Sequence, residues 1–304
     1  MLLLFRALPA AWARALGRCL GRLAWNFSSR YRKQIVRHMD IAFGDEFSQA
    51  QKKEWGRKNF EHIGLALAEF ARMHLLTPEN LAEIVDLSEG KVFDDFLAAQ
   101  TLAAAAGGKK RGILCLPAHH GNWELGGYAL ALAGYPLISV ARPLDNPLLY
   151  EMIAEIREKS GNRFVHKWNV LWKLKKLLDT GSIITMSVDQ NGGVAGVFVP
   201  LFGTLASTVA SPAELHLATG APIVVSTVNR LADGIHHKLH VWAVIEHPKS
   251  GDHEADKFAI LQKIHVAYEK AIRAYPEQWL WVHRRWKTRP PGEASDALQR
   301  KLSK

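Results

Sequence analysis

An imidazole and a carboxylate lie five positions apart in the segment His119–Glu124. On a continuous helix the two side chains would point about 140° apart, because five residues turn through about 500°. The carboxylate reaches the ring if His119 ends a strand, Glu124 lies in the first turn of a helix, and Gly121–Asn122 form the turn between them. That arrangement predicts a general base, His119, held in one tautomer by Glu124. A structural role at the strand end for His119 or His120 is the alternative.

Two arginines are placed to bind an anionic group near the same edge. Arg142 follows the apolar run 136–141, and Arg157 precedes the turn at Gly161. A guanidinium stays charged and donates two parallel hydrogen bonds, so both suit a phosphorylated substrate. A solvated surface arginine is the alternative in each case.

Asp189 and Gln190 close another apolar run, in a loop rich in asparagine and glycine. Loops of this composition at strand ends commonly carry sites. A carboxylate there can orient a hydroxyl or an arginine, and an amide can donate to a carbonyl. We therefore count Asp189, Gln190 and Asn122 with the substrate-binding residues, although simple turn chemistry also explains Asp189.

Other chemistries lack their motifs. A metal site of His119, His120 and Asp189, with His236 or His237 as a further ligand, would be supported by H-E-x-x-H, C-x-x-C or clustered carboxylates. None of these motifs occurs. Neither a G-x-S-x-G elbow nor a phosphate-binding glycine loop is present. Cys115 alternates with leucines in an apolar run, which favours an inert thiol over a nucleophile. We expect no metal and no cofactor.

The elements that must position these residues alternate from residue 111 onward. Strand-like runs lie at 112–116, 136–141, 182–188, 222–228 and 238–244, and helical stretches at 123–132, 147–159, 171–179, 211–219 and 256–274. This alternation predicts an α/β fold with a mainly parallel central sheet flanked by helices. We expect a helical N-terminal region over 28–110, an α/β core over 111–291 and a flexible tail over 292–304.

The first 27 residues predict an amphipathic helix. On a helical wheel the arginines share an arc of about 160°, and the large apolar side chains lie opposite. The two sets are Arg6, Arg14, Arg18 and Arg22, and Phe5, Trp12, Leu16, Leu20 and Leu23. A basic face beside Trp and Leu is typical of a helix lying in a membrane interface. Packing on the protein's own body is the alternative.

The net charge of +10 over 304 residues predicts an anionic partner. With neither a nucleic-acid module nor a long Lys/Arg tract, the first helix favours an anionic membrane surface over nucleic acid.

Two further segments have two interpretations each. The apolar run Val197–Gly203 either lines a pocket for a greasy ligand or packs in the core, and the aromatic, basic run Tyr275–Lys287 suits a membrane interface or cation–π stacking inside the fold.

Taken together, several blocks of the chain resemble the bacterial late acyltransferases of lipid A biosynthesis, a branch of the lysophospholipid acyltransferase superfamily. The resemblance spans residues 30 to 291. Its motifs are His119-x-Gly-Asn-Trp-Glu124, Arg142-Pro143 with Asp145-Asn146-Pro147, Asp189-Gln190, Val199–Gly203, Pro276–Trp279 and His283–Lys287.

The resemblance implies an enzyme at the cytoplasmic face of the bacterial inner membrane. It implies transfer of an acyl chain from acyl carrier protein or coenzyme A to a hydroxyl of a lipid A precursor or similar glycolipid. His119 would be the base, Glu124 its partner, and Arg157 and Asp189 site residues. Another bacterial lipid as acceptor, such as a phosphoinositide mannoside or an amino-acid lipid, and a non-enzymatic lipid-binding protein are the alternatives. Acyl length and oligomeric state stay open.

Overall fold

The computed structural model describes residues 1–108, 110–141, 146–166 and 170–293 of the chain. Its N-terminal part contains five helices: α1 (Leu2–Ala7), α2 (Ala10–Phe27), α3 (Ser29–Phe43), α4 (Gln49–Arg72) and α5 (Lys91–Ala105). The single helix expected over residues 1–27 is two helices. The chain breaks at Pro9, which lacks an N–H, and Leu8 before it is extended (φ −82°, ψ 147°).

Helix α2 is fixed to α4 by direct backbone contact. A Cβ atom on Gly17 would lie 2.5 Å from the carbonyl oxygen of Gly64, and one on Gly21 would lie 2.3 Å from that of Phe60. Only glycine allows the helices to approach this closely. The opposite face of α2 leaves Trp12 69% and Phe27 85% exposed. The helix therefore packs on the protein body and also presents an apolar face to the outside.

The central sheet has seven strands in the order β1-β9-β8-β2-β5-β3-β4. Among the described residues its pairings are parallel, apart from the antiparallel pairing of β8 with β9. The strands are β1 (Val85–Asp86), β2 (Ile113–Gly121), β3 (Leu137–Ala141), β4 (Arg163–His166), β5 (Ile183–Thr185), β8 (Ile223–Arg230) and β9 (His237–Ile245). A separate antiparallel hairpin is formed by β6 (Val197–Leu201) and β7 (Thr204–Thr208). The expected mainly parallel α/β fold is confirmed.

The remaining helices cover the sheet and carry the chain between its strands. They are α6 (Trp123–Leu132), α7 (Pro147–Glu158), α8 (Leu171–Leu178), α9 (Ser211–Thr219) and α10 (His253–Ala274). Helix α10 begins three residues earlier than expected because Asp252 caps it, accepting a hydrogen bond from the N–H of Ala255 at 3.0 Å. Strands β1 and β4 were not expected, since runs of two and four residues are too short to show a period.

The apolar run Val197–Gly203 packs in the core. Val199 and Leu201 are buried in the main hydrophobic cluster, and the carbonyl of Pro200 accepts a hydrogen bond from His265 on α10 at 2.8 Å. None of these seven residues belongs to the described lining of the large cavity beside His119. The pocket-lining interpretation of this run is therefore wrong.

The aromatic segment after α10 is also internal. Trp279, Trp281 and Trp286 are each at most 3% exposed. The ring centroids of Trp279 and Trp281 are 4.7 Å apart in an edge-to-face contact. Because these rings are enclosed by protein, the membrane-interface interpretation of this segment is wrong. The segment instead runs beside β2, where the N–H of Leu280 donates to the carbonyl of His119 at 2.9 Å.

Candidate active site

The site lies at the carboxyl end of β2, the edge where open α/β sheets place their ligands. Strand β2 is central, between β8 and β5, so its apolar residues are buried and only its last residues reach the rim. Gly121 then turns the chain with φ +65°, and a Cβ atom there would lie 2.1 Å from the carbonyl oxygen of Val228. Helix α6 begins immediately afterwards, as the sequence predicted.

The imidazole of His119 is held by the carboxylate of Asp189. Its Nδ1–H donates to Oδ1 of Asp189 at 2.8 Å, and the backbone N–H of His119 donates to Oδ2 at 2.8 Å. Oδ2 also accepts from Nε1 of Trp279 at 2.9 Å. The side chain of Asp189 is only 3% exposed, whereas that of His119 is 22% exposed. The ring is thus oriented from inside the protein, and the contact recorded for its Nε2 is a long one, 3.4 Å from the side-chain amide of Gln190.

Glu124 does not occupy the position that the sequence assigned to it. Its carboxylate accepts two hydrogen bonds from Arg157, from Nε at 2.9 Å and from Nη2 at 2.6 Å. The guanidinium also lies over the ring of Phe164, 5.4 Å from its centroid. The partner of His119 is therefore Asp189, and Glu124 is the partner of Arg157. The sequence interpretation failed because Asp189 lies 70 positions away, and only β5 beside β2 brings it close.

The charges around His119 shift its pKa upward. Burial alone would lower that pKa, but the charge and hydrogen bond of Asp189, together with the charge of Glu124, outweigh it. For Asp189, burial acts to raise the pKa, and the contacts with His119 and Trp279 bring it down to about 2. The carboxylate is therefore ionised near neutral pH, ready to stabilise an imidazolium.

The other three predicted substrate-binding residues differ in their positions. Gln190 lies at the ring, its amide Nε2 3.4 Å from Nε2 of His119. Asn122 is 1% exposed and uses its side chain to cap α6 through the N–H of Leu125 and to donate to Glu69 at 2.8 Å. Its polar atoms are therefore engaged within the protein. Arg142 lies outside the described residues.

His120 has a structural role. Its Nδ1 accepts from the amide of Asn229 at 2.8 Å, and its Nε2 donates to the carbonyl of Tyr275 at 3.0 Å. Burial lowers the pKa of His120 to about 4, so the ring is neutral. Of the two adjacent histidines, His120 is fully buried, whereas the side chain of His119 is 22% exposed. The buried Cys115 has its pKa raised by desolvation to about 11, in agreement with an inert thiol.

A cavity of about 1080 Å³ opens at these side chains. Its lining includes the polar side chains of His119, Glu124, Arg157 and Gln190. Its apolar part is lined by side chains that include Leu130, Leu137, Phe164, Leu174 and Val228. Such a cavity has room for an apolar chain beside the polar groups.

Sequence reasoning missed two buried residues that support the site. Trp279 donates to Asp189, and Arg285 is completely buried, donates to Oγ1 of Thr208 at 2.7 Å and lies within electrostatic range of Asp189. Both belong to the aromatic, basic segment that the sequence singled out. Their polar atoms face inward, which composition alone does not reveal.

The chain is similar to several known enzymes. It is 30% identical over 282 residues to the lipid A biosynthesis lauroyltransferase of Escherichia coli (strain K12), covering 92% of this chain and 87% of that protein. It is 28% identical over 282 residues to the palmitoleoyltransferase of lipid A biosynthesis from the same strain, covering 92% and 86%. A phosphatidylinositol mannoside acyltransferase of Mycolicibacterium smegmatis is 27% identical over 199 residues, covering 63% of this chain and 62% of that protein.

These similarities place the protein in a class: it is an acyltransferase built on a mainly parallel α/β sheet. The model of the bacterial lipid A biosynthesis acyltransferases matches residues 1–288, so the chain belongs to that family. The resemblance drawn from the sequence motifs is thereby confirmed.

Proposed function

We propose that the protein transfers a fatty acyl chain from an acyl thioester to a hydroxyl of a lipid A precursor or a similar glycolipid. The observation that carries the proposal is the imidazole of His119, bound to the ionised Asp189 at 2.8 Å and open to a large, partly apolar cavity. The relatives named for lipid A acylation support a glycolipid acceptor. The donor would be acyl carrier protein or coenzyme A carrying the chain.

In the proposed reaction Nε2 of His119 takes the proton of the acceptor hydroxyl while that oxygen bonds to the thioester carbonyl carbon. The carbon–sulfur bond then breaks, and the departing thiolate takes the proton back from His119. The products are an ester and a free thiol, and no covalent enzyme intermediate is needed. Asp189 keeps the ring proton on Nδ1 and stabilises the transient imidazolium, so that a positioned base contributes about 10² to 10⁴ in rate.

Arg157 is the side chain we assign to the developing oxyanion. It lines the cavity together with His119, and its position is fixed by Glu124 and Phe164. The Glu124 carboxylate keeps the guanidinium charged: burial acts to lower the pKa of Arg157, but the hydrogen bond and charge of Glu124 raise it overall. One such donor is worth about 3 kcal/mol. A backbone N–H near Gly121 is the other candidate donor.

We propose that the apolar face of α1 and α2 lies in the cytoplasmic surface of the inner membrane. Leu3, Trp12 and Phe27 are 72%, 69% and 85% exposed, and Arg18 and Arg22 lie beside this face on α2. Trp and Phe next to arginines suit the interface of an anionic membrane. No helix in the described part of the chain is long and apolar enough to span a bilayer.

The test is turnover by the full chain in membranes. Membranes containing the enzyme are given carrier protein and, separately, coenzyme A loaded with a mixture of acyl lengths, and the lipid products are weighed by mass spectrometry. We expect an acylated glycolipid with the wild type and none with His119→Ala. His253→Ala removes an exposed histidine, 57% exposed in its side chain, that binds Glu214, and should react like the wild type.

Two other results would contradict the proposal. Binding of glycolipid with no product from either donor would indicate a lipid-binding protein. Acylation of a phosphoinositide mannoside in place of the lipid A precursor would move the acceptor to that of the mycobacterial relative.

A further inference from the structure

A second cavity, of about 660 Å³, lies between the N-terminal helices and the segment that follows α10. Its walls are almost entirely apolar. Representative side chains are Phe5 on α1, Leu20 on α2, Phe60 and Ile63 on α4, and Leu280 and Val282 after α10. The backbone contacts of Gly17 and Gly21 with α4 hold α2 in place, so this cavity is part of the folded structure.

The two cavities share a wall at the catalytic histidine. Leu280 lines the second cavity and donates its N–H to the carbonyl of His119, which lines the first, at 2.9 Å. His283 lines the second cavity and its Nε2 accepts from the N–H of Asn191, which lines the first, at 2.9 Å. One layer of residues therefore separates an apolar cavity from the site of proton transfer.

The outer side of the second cavity continues into the exposed apolar face of α2. Leu20 both lines the cavity and is 36% exposed, and Leu23 and Phe27 are exposed beside it. A hydrocarbon chain leaving a bilayer at this face would enter the cavity without crossing polar surface. This continuity with the exposed face of α2 gives the second cavity an apolar route from the bilayer.

Two cations lie at the segment that follows α10 but outside the described lining of the cavity. Arg284 follows His283 in the chain, and Arg37 lies on α3, whose Gln34 and His38 donate to the carbonyls of Val282 and Trp281. Arg37 and Arg284 have no ion-pair partner among the described residues, and Nε of Arg37 is buried without a hydrogen bond there. Burial, and then the charge of Arg284, lower the pKa of Arg37. Two neighbouring guanidinium groups that are not neutralised by carboxylates suit a phosphate.

We propose that the second cavity binds a hydrocarbon chain of the acceptor lipid, with a phosphate of its headgroup on Arg37 and Arg284. The inference rests on the proposed acyl transfer and adds the position of the acceptor. The donor's acyl chain then occupies the first cavity, and the acceptor hydroxyl reaches Nε2 of His119 over the shared wall. Each substrate has its own apolar site, so the two chains do not compete.

The test fills the second cavity from α2. Ala24 lines the second cavity. Ala24→Phe should raise KM for a long-chain phosphorylated glycolipid at least tenfold, which corresponds to about 1.4 kcal/mol. KM for the acyl donor and the preference for donor chain length should stay unchanged. Ala15→Phe is the matched control, because Ala15 is exposed on the same helix outside the cavity lining. With a short-chain acceptor the two variants should behave alike.

Two further measurements complete the test. A long-chain alkyl glycoside with a diazirine at its chain end should label residues of α2, α4 or 280–282 on illumination. Arg37→Gln with Arg284→Gln should raise KM for a phosphorylated acceptor but not for its dephosphorylated form.

Three results would each overturn the inference. They are equal acceptor KM for Ala24→Phe and Ala15→Phe, an altered donor preference in Ala24→Phe, and labelling confined to the first cavity. The wild type would still acylate glycolipid in those cases, so the proposed function is tested separately.

Discussion

Replacing Asp189 by asparagine should disable the proposed base, His119, while leaving its surroundings in place. Oδ2 of Asp189 accepts hydrogen bonds from the backbone N–H of His119 and from Nε1 of Trp279, at 2.8 and 2.9 Å. These two donors fix the oxygen of an asparagine at the same position, so its NH₂ group must face Nδ1 of the ring. Because two donors cannot bond to each other, the ring proton moves to Nε2 and the lone pair that accepts the hydroxyl proton is lost.

The expected loss in kcat is large. The same exchange of aspartate for asparagine in a serine protease triad, a case known from general enzymology, lowers kcat by about 10⁴, equal to about 5 kcal/mol. KM for both substrates should change little, because the carboxylate is buried behind the ring. The assay is kcat and kcat/KM as a function of pH with a radiolabelled acyl donor. Circular dichroism confirms that the variant is folded.

The pH profile separates Asp189 from Glu124. The charge of Asp189 raises the pKa of His119, and only the neutral ring accepts a proton, so wild-type kcat/KM should rise with pH through a pKa above 6.5. Asp189→Asn should move this acid limb to lower pH. Glu124→Gln should lower kcat through Arg157 and move the limb to lower pH by less than Asp189→Asn does, because the charge of Glu124 contributes less than Asp189 to the raised pKa of His119. If Asp189→Asn keeps activity within tenfold of the wild type and Glu124→Gln moves the limb further than Asp189→Asn does, our assignment of the two carboxylates is wrong.

The remaining predictions concern stability and membrane binding. Gly121→Ala should lower the free energy of unfolding by about 2 kcal/mol or more in urea titrations, from its positive φ and the contact with Val228. Trp12→Glu with Phe27→Glu should abolish co-sedimentation with anionic vesicles. The free energy of unfolding should fall as the pH drops from 6.5 toward 4, because the unfolded chain takes up protons that the folded protein does not. Each buried neutral histidine contributes about 1.4 kcal/mol per pH unit to this fall. Those with a pKa lowered to about 3 or 4 by burial are His38, His62, His120 and His265.

The two sets of substitutions have matched controls. Gly127→Ala adds a Cβ in ordinary contact, 3.6 Å from Nδ2 of Asn162, and should not destabilise the helix. Phe258→Glu changes an exposed phenylalanine on α10, 42% exposed, and should keep vesicle binding. A flat stability between pH 6.5 and 4, or equal effects of each variant and its control, would contradict the physical reasons given.

Much of the fold follows from local pattern. The apolar runs that became β2, β3, β5 and β8 and the helices between them were placed within a few residues, because alternating buried strands and amphipathic helices show in the sequence. Strands β1 and β4 were missed, since they hold their place by pairing with β9 and β3 and not by their own pattern. The strand order of the sheet likewise depends on those pairings.

The sequence by itself determined that a histidine ends a central strand, that a tight turn and a helix follow, and that another polar strand end carries Asp189 and Gln190. It could not determine which carboxylate meets which cation. Hydrogen-bonded pairs such as His119 with Asp189, or Arg157 with Glu124, join segments 70 and 33 positions apart. Only the tertiary fold, which sets β5 beside β2 and brings Arg157 of α7 to Glu124 of α6, decides them. A hydrogen bond depends on distances of a few tenths of an ångström that local spacing does not fix.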